Sequence, residues 1–173
     1  MLLNDIELIR NKILQIKEER WLKQIELVNK FKVNLISYKF NIPSWPKSSK
    51  AIIEAFNKSL NDFQKYLVMN QISFDLSAIE DTDLGPIALV ITKYPDKKLK
   101  ELTKIFEEDY PIGRLLDLDV LNQKGVYLDR AIKRKCLLCD DLSINCIQSQ
   151  KHDPIKVRKY FDKQIDKFNS GNY

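Results

Sequence analysis

Apolar residues recur along this chain at two periods, and the change from one to the other predicts its elements. Over 4–31, Ile6, Ile9, Ile13 and Ile16 fall at 3-4-3 spacing among mostly polar residues, which predicts a long N-terminal helix. "KVNLISYKFN", 32–41, alternates as a strand does, with Val33 and Leu35 and then, after a slip, Tyr38 and Phe40. The helical period returns over 50–68 in Ile53, Phe56, Leu60, Phe63 and Leu67. "QISFDLSAI" reads as a strand, and "GPIALVITKY", 85–94, reads as a strand buried on both faces. Pro95 and Asp96 then open a helix to about Glu108, because proline in the first turn costs no hydrogen bond. "GRLLDLDVLNQKGVYLDR", 113–130, predicts two strands joined by a turn at 122–125. Last, Asp153 as N-cap and Pro154 at the first helical position begin a helix whose stripe Val157, Phe161, Ile165 and Phe168 turns inward.

This order predicts an α+β fold, one domain over 1–173 with a mixed or antiparallel sheet and helices packed on one face. The N-terminal helix occupies 1–31, and a cysteine- and histidine-rich segment lies at 135–153. A chain of 173 residues, 44% hydrophobic and 31% charged, suits a globular protein and argues against disorder. No apolar run approaches the ~20 residues that cross a bilayer, and the polar N-terminus does not read as a signal peptide. The expected location is cytoplasmic. Three cysteines, an odd number, then argue against a disulfide framework. A net charge of +5 favours anionic partners, namely nucleic acid, a phosphate-rich small molecule or an acidic protein, although a lysine-rich solubilising surface reads the same way.

Three stretches carry candidate chemistry. In "LLDLDVL", strand alternation sends Asp117 and Asp119 to one face, roughly 7 Å apart along the chain, and Leu116, Leu118 and Val120 to the other. Paired carboxylates repel unless a cation lies between them. Mg²⁺ carrying phosphate oxygens is one resolution, with Arg114 at the head of the strand as a phosphate fork; a solvated polar face is the other reading. "KCLLCDDLSINCIQSQKHD" holds every cysteine and the single histidine of the chain. Cys136, Cys139, Cys146 and His152 have the number and chemistry for a closed tetrahedral Zn²⁺ site, which would staple the fold rather than catalyse. Packed buried thiols and a redox C-x-x-C are the alternatives. In "NIPSWPKSSK", Lys47, Ser48 and Ser49 precede a helix whose N-terminus favours anions, so this is either a phosphate loop or a capped surface loop.

Taken in order, these pieces resemble the apo-citrate lyase phosphoribosyl-dephospho-CoA transferase family, the holo-acyl-carrier-protein synthases of citrate lyase. "PIGRLLDLDVLNQKG" is similar to the family signature P-L-G-R-L-[FW]-D-[IL]-D-V-[LF]-x-x-x-G, and "YLDR", ending at Arg130, stands where the family has a short strand. "RKCLLC" with Cys146 and His152 resembles R-x-C-L-x-C…C-A-R-x-x-R-H, and "NIPSWPKSS" is in register with N-I-P-G-x-x-K-x-S. The likeness spans about 32–160. Gln148 and Gln150 stand where the family has arginines, and Ser44 where it has glycine. Lys133, Arg134 and Lys151 are the basic residues nearest to compensate.

The resemblance implies a nucleotidyltransferase. Its donor would be 2′-(5″-triphosphoribosyl)-3′-dephospho-CoA, and its partner the apo acyl carrier (gamma) subunit of citrate lyase. The catalytic residues it implies are Asp117, Asp119 and Arg114, with Mg²⁺ on the two aspartates. Asn41, Lys47, Ser49, Arg130 and Arg134 would bind substrate. Neither a membrane nor nucleic acid is expected as a partner, since aromatic and basic residues do not interleave as in RNA-binding motifs. The competing readings are the equivalent transferase for the malonate decarboxylase carrier, a zinc-bearing nucleic-acid-binding module and an inactive structural subunit.

Overall fold

The computed structural model describes residues 3–130 and 133–173, and the side chains of the first helix from Glu7 onward. Four strands form one sheet in the order β2-β3-β1-β4: β1 is Asn34–Phe40, β2 Asp75–Thr82, β3 Gly85–Thr92 and β4 Leu116–Leu121. Every pairing is antiparallel, which leaves no mixed sheet. The helices are α1 (Leu3–Phe31), α2 (Lys50–Met69), α3 (Asp96–Asp109), α4 (Ser143–Gln148) and α5 (Pro154–Asn169).

Of the two inner strands, β3 is apolar on both sides because both faces of the sheet are covered, while β1 carries Ser37 and Lys39 on its second face. On one face Ile36, Tyr38, Phe40, Ala88, Val90, Leu116, Leu118 and Val120 meet the inward stripes of α2, α3 and α5. Each large side chain buried there contributes roughly 1.5–3 kcal/mol. On the other face Leu35, Ile87, Leu89, Ile91 and Leu121 pack against Val28 of α1. Helices therefore lie on both faces rather than one. The slip expected in β1 is not there either: Ile36, Tyr38 and Phe40 share one face without interruption.

The α1 stripe differs from its expectation. Ile9 is 50% exposed, while Gln24 and Val28 farther along are buried; Ile6 lies outside the described side chains. A helix of 29 residues is ~43 Å long at 1.5 Å per residue. A strand of 7 residues, as in β1, covers only ~23 Å. The helix outruns the sheet, so its fully buried positions lie toward its C-terminal end, while Ile13 and Ile16 of the expected stripe are half-buried. Polar contacts along the helix tie it to the β2–β3 hairpin: Lys12 pairs with Asp83 at 2.6 Å, Lys23 with Glu80, and Arg20 donates to Gly85 O at 3.0 Å.

The expected second strand after β4 is reduced to a single bridge between Leu121 and Tyr127, beyond the turn closed by Gly125 N donating to Asn122 O at 2.9 Å. The reason lies at the outer edge of β4. Its backbone groups are already occupied by side chains: Glu107 accepts from Leu118 N at 2.8 Å, Lys100 donates to Leu118 O at 3.3 Å and Arg134 donates to Leu116 O at 2.5 Å. An edge covered in this way needs no further strand. β2 also starts later than expected, because Ile72 leaves the strand pattern to join the core.

Candidate active site

Strand alternation places Asp117 and Asp119 of β4 on the face opposite Leu118, as expected, and the β1 register sets Lys39 beside Asp117 and Ser37 beside Asp119. Lys39 Nζ lies 2.9 Å from Asp117 Oδ2 and 2.5 Å from Asp119 Oδ2. The cation that paired carboxylates require is thus supplied from within the sheet. Burial opposes the charge on Lys39, but the Asp117 and Asp119 carboxylates outweigh it and raise its pKa above the ordinary lysine value. Burial likewise pushes Asp117 up, yet the Lys39 ammonium and the Arg134 guanidinium more than offset it and hold the carboxyl below its ordinary value.

Arg134 Nη2 lies 3.1 Å from Asp117 Oδ1 and also pairs with Glu107, a buried carboxylate that Arg130 pairs with as well. A buried glutamate thereby orients both arginines at the β4 edge. Lys100 completes the group, its pKa lowered chiefly by burial. Gly113 makes this packing feasible: a Cβ there would stand 2.2 Å from Glu107 O. Sequence reasoning missed Lys39, Glu107 and Lys100. The signal for the last two was present, since Lys100, Thr103 and Glu107 share the buried face of α3 with Leu99 and Phe106. Lys39 becomes visible only through the β1–β4 register.

Arg114 is exposed at the head of β4, where its Nη2 donates to Cys136 O at 2.5 Å and Lys135 O at 3.2 Å. It ties the cysteine-rich segment to the start of the strand. Between them and the Asn-Ile-Pro loop opens a cavity of about 580 Å³. Asn41, Arg114, Arg134 and Lys135 give it polar lining, while Leu137 and Val157 contribute apolar walls. A second cleft of about 300 Å³ shares Arg114, Arg134 and Lys135 and adds Arg130 and Lys133. Gln150, at a departing position, lines the larger cavity, whereas Lys151 is paired with Asp141 at 3.3 Å. Lys47 and Ser49 do not line the cavity, although Asn41, Pro43 and Ser44 of the same loop do. Ser49 instead caps α2, accepting from Ile52 N at 3.3 Å, and the Lys47 ammonium donates to Ile42 O. Burial first, and then Arg158 and Lys17 nearby, lower the Lys47 pKa.

Cys136, Cys139, Cys146 and His152 converge, their ligand atoms all within 4.8 Å of one another. Cys139 Sγ is 3.5 Å from Cys146 Sγ and 3.2 Å from His152 Nε2. Burial opposes ionisation of Cys136, but the backbone N–H groups of Leu138 and Cys139 hold its thiol below the ordinary value. Three free thiols and an imidazole nitrogen at this separation suit a closed tetrahedral zinc site. The short α4, absent from the sequence-based expectation, presents Cys146 to the cluster.

The Asp117–Asp119 pair is also a donor set that a hard divalent cation would accept. Both groups are carboxylates on one face, and the Asp119 side chain is 42% exposed and so approachable. The position between them is the one Lys39 holds.

Residues 9–168 match the family described as apo-citrate lyase phosphoribosyl-dephospho-CoA transferase. A protein of Streptococcus pyogenes serotype M18 (strain MGAS8232), named probable apo-citrate lyase phosphoribosyl-dephospho-CoA transferase, is 31% identical over 164 residues, covering 90% of this chain and 84% of its own length. A protein of the same name from Vibrio cholerae serotype O1 (strain M66-2) is 28% identical over 156 residues, 86% of each chain. Since the match takes in the dyad strand, the Asn-Ile-Pro loop and the cysteine–histidine cluster alike, this chain belongs to the apo-citrate lyase phosphoribosyl-dephospho-CoA transferase family.

Proposed function

We propose that this chain transfers the phosphoribosyl-dephospho-CoA unit of 2′-(5″-triphosphoribosyl)-3′-dephospho-CoA to a serine of the apo acyl carrier subunit of citrate lyase. The serine oxygen bonds to the α-phosphorus of the donor triphosphate. The bond from that phosphorus to the β-phosphate bridging oxygen breaks, pyrophosphate leaves, and the serine proton passes to solvent or to the pyrophosphate. The observation that carries this reading is the juxtaposition of two carboxylates with a set of cations at the β4 edge, in a member of this family.

Asp117 and Asp119 are the residues that would hold Mg²⁺, which supplies neutralisation of the triphosphate and the departing pyrophosphate. The chain's own cations do the rest. Arg134, oriented by Glu107 and Asp117, and Arg114, exposed beside the cavity, present N–H donors to phosphate oxygens and stabilise charge as it develops. Arg130 and Lys133 extend the basic lining of the neighbouring cleft. The apolar side of the larger cavity, with Leu137 and Val157, offers a surface for uncharged parts of the donor. Lys47, away from that cavity and close to Lys17 and Arg158, forms a second cationic site for donor phosphates. The cysteine–histidine cluster holds structural zinc, and its free thiols suit a reducing, cytoplasmic location. Among the described residues no helix is long and apolar enough to cross a membrane.

The test mixes the purified chain with apo carrier, the triphosphoribosyl donor and Mg²⁺ and records the intact carrier mass. The expected result is a gain of one prosthetic group, lost with EDTA. Asp117→Asn should lower the rate at least ~100-fold, on the scale of a lost electrostatic stabiliser, with the melting temperature within a few degrees of wild type. Full activity in that variant would refute the role of the dyad. No mass gain on this carrier, with gain on the malonate decarboxylase carrier, would reassign the acceptor.

A further inference from the structure

We propose that Lys39 is the resident cation of the Asp117–Asp119 dyad, its ammonium standing between the carboxylates where a divalent ion would bind, so that a metal ion enters by displacing it. The inference rests on the reading of the dyad as a divalent-cation site and extends it to a residue outside the family signature quoted for β4.

The geometry makes Lys39 more than a passing surface lysine. It lies on the inner strand β1 directly across from Asp117, and pairing along the whole of β4 fixes that register. One nitrogen contacts an oxygen of each carboxylate, at 2.9 and 2.5 Å, and its side chain is only 24% exposed. Arg134 also meets Asp117, at 3.1 Å, so with Lys39 in place the two carboxylates are already matched by two cations. A divalent ion therefore gains the full attraction of the dyad only as the Lys39 ammonium leaves. The lysine stem is flexible, and its compact ammonium can swing away without disturbing the strand that carries it. The displaced ammonium then gains phosphate oxygens of an anionic donor as its new partners. In the resting protein Lys39 bridges the two carboxylates, so the dyad stays formed without metal. Lys39 is in this sense a positioning residue.

The experiment measures Mn²⁺ binding alone, by loss of the free-ion electron paramagnetic resonance signal, on the full chain with no donor or carrier. Mn²⁺ is hard and oxygen-seeking, so the thiolate cluster does not compete for it. Lys39→Gln should bind Mn²⁺ at least tenfold more tightly than wild type, Lys39→Arg should remain close to wild type, and Asp119→Asn in the Lys39→Gln background should abolish the gain. Equal affinity in wild type and Lys39→Gln, or no binding in either, would overturn the proposal. Should Lys39→Gln not fold, the wild-type Lys39 ammonium resonance, followed by proton–nitrogen correlation, decides the matter. It should shift as Mg²⁺ is added, and an unmoved signal alongside shifted Asp117 and Asp119 carboxyl carbons would overturn the proposal. A binding gain without carrier transfer would leave this inference standing and remove only the transferase reading.

Discussion

At the scale of single residues, charge decides what this site is. Asp117 sits between Lys39 and Arg134, and those cations keep its carboxyl below the ordinary range despite burial. The unfolded chain therefore takes up a proton at this residue before the folded chain does. The stabilisation is complete above about pH 3.9 and is lost as pH falls through the lower folded value. Urea unfolding of wild type and Asp117→Asn across pH 2–7 should show wild type ahead above roughly pH 4 and the gap closing below it. A gap independent of pH would mean that the carboxylate's charge contributes nothing. The dyad itself was legible, because two aspartates two apart in a strand must share a face. Its counter-ion was not, because Lys39 is 78 residues from Asp117 in the chain and only strand pairing brings them together.

At the scale of elements, β4 is placed by side chains from α3 and from the stretch after it rather than by a fifth strand. Glu107 satisfies Leu118 N and holds Arg130 and Arg134, and this depends on the turn at 113–115 lying flush against the end of α3. Gly113 permits that approach, since any Cβ would strike the Glu107 carbonyl at 2.2 Å. Gly113→Ala should cost about 2–4 kcal/mol, the scale of overpacking that the backbone must move to relieve. Chemical denaturation measures it, and a loss below ~0.5 kcal/mol would show that the turn yields freely. The extent of α2, β3, α3 and α5 was readable within a residue or two from period and caps, with Asp153 accepting from Ile155 N as the N-cap expectation required. The strand expected after the turn at 122–125 was not to be excluded from local pattern, because what replaces its hydrogen bonds is a set of charged side chains distant in sequence.

At the scale of the whole molecule, the cysteine–histidine segment couples the head of β4 to α5. Arg114 grips its backbone at Lys135 and Cys136, and His152 precedes the cap of α5 by one residue. Metal analysis of protein purified under reducing conditions should find one zinc per chain. Its removal by a chelator, or Cys139→Ser, should lower the melting temperature by roughly 10 °C, since binding free energy of such sites is folding free energy. A metal-free protein whose melting temperature ignores chelator would return the cluster to packed thiols.

The sequence by itself determined the α+β class, most elements, the shared face of Asp117 and Asp119, and the grouping of four soft ligands within 136–152, because each follows from local periodicity, caps or proximity along the chain. Only the tertiary structure decided which cation stands between the aspartates, which face each helix covers, why the β4 edge takes no further strand, and that Asn41 joins the cavity while Lys47 and Ser49 do not. Those outcomes depend on register and on contacts between distant segments, and such contacts carry no signature in the residues on either side of them.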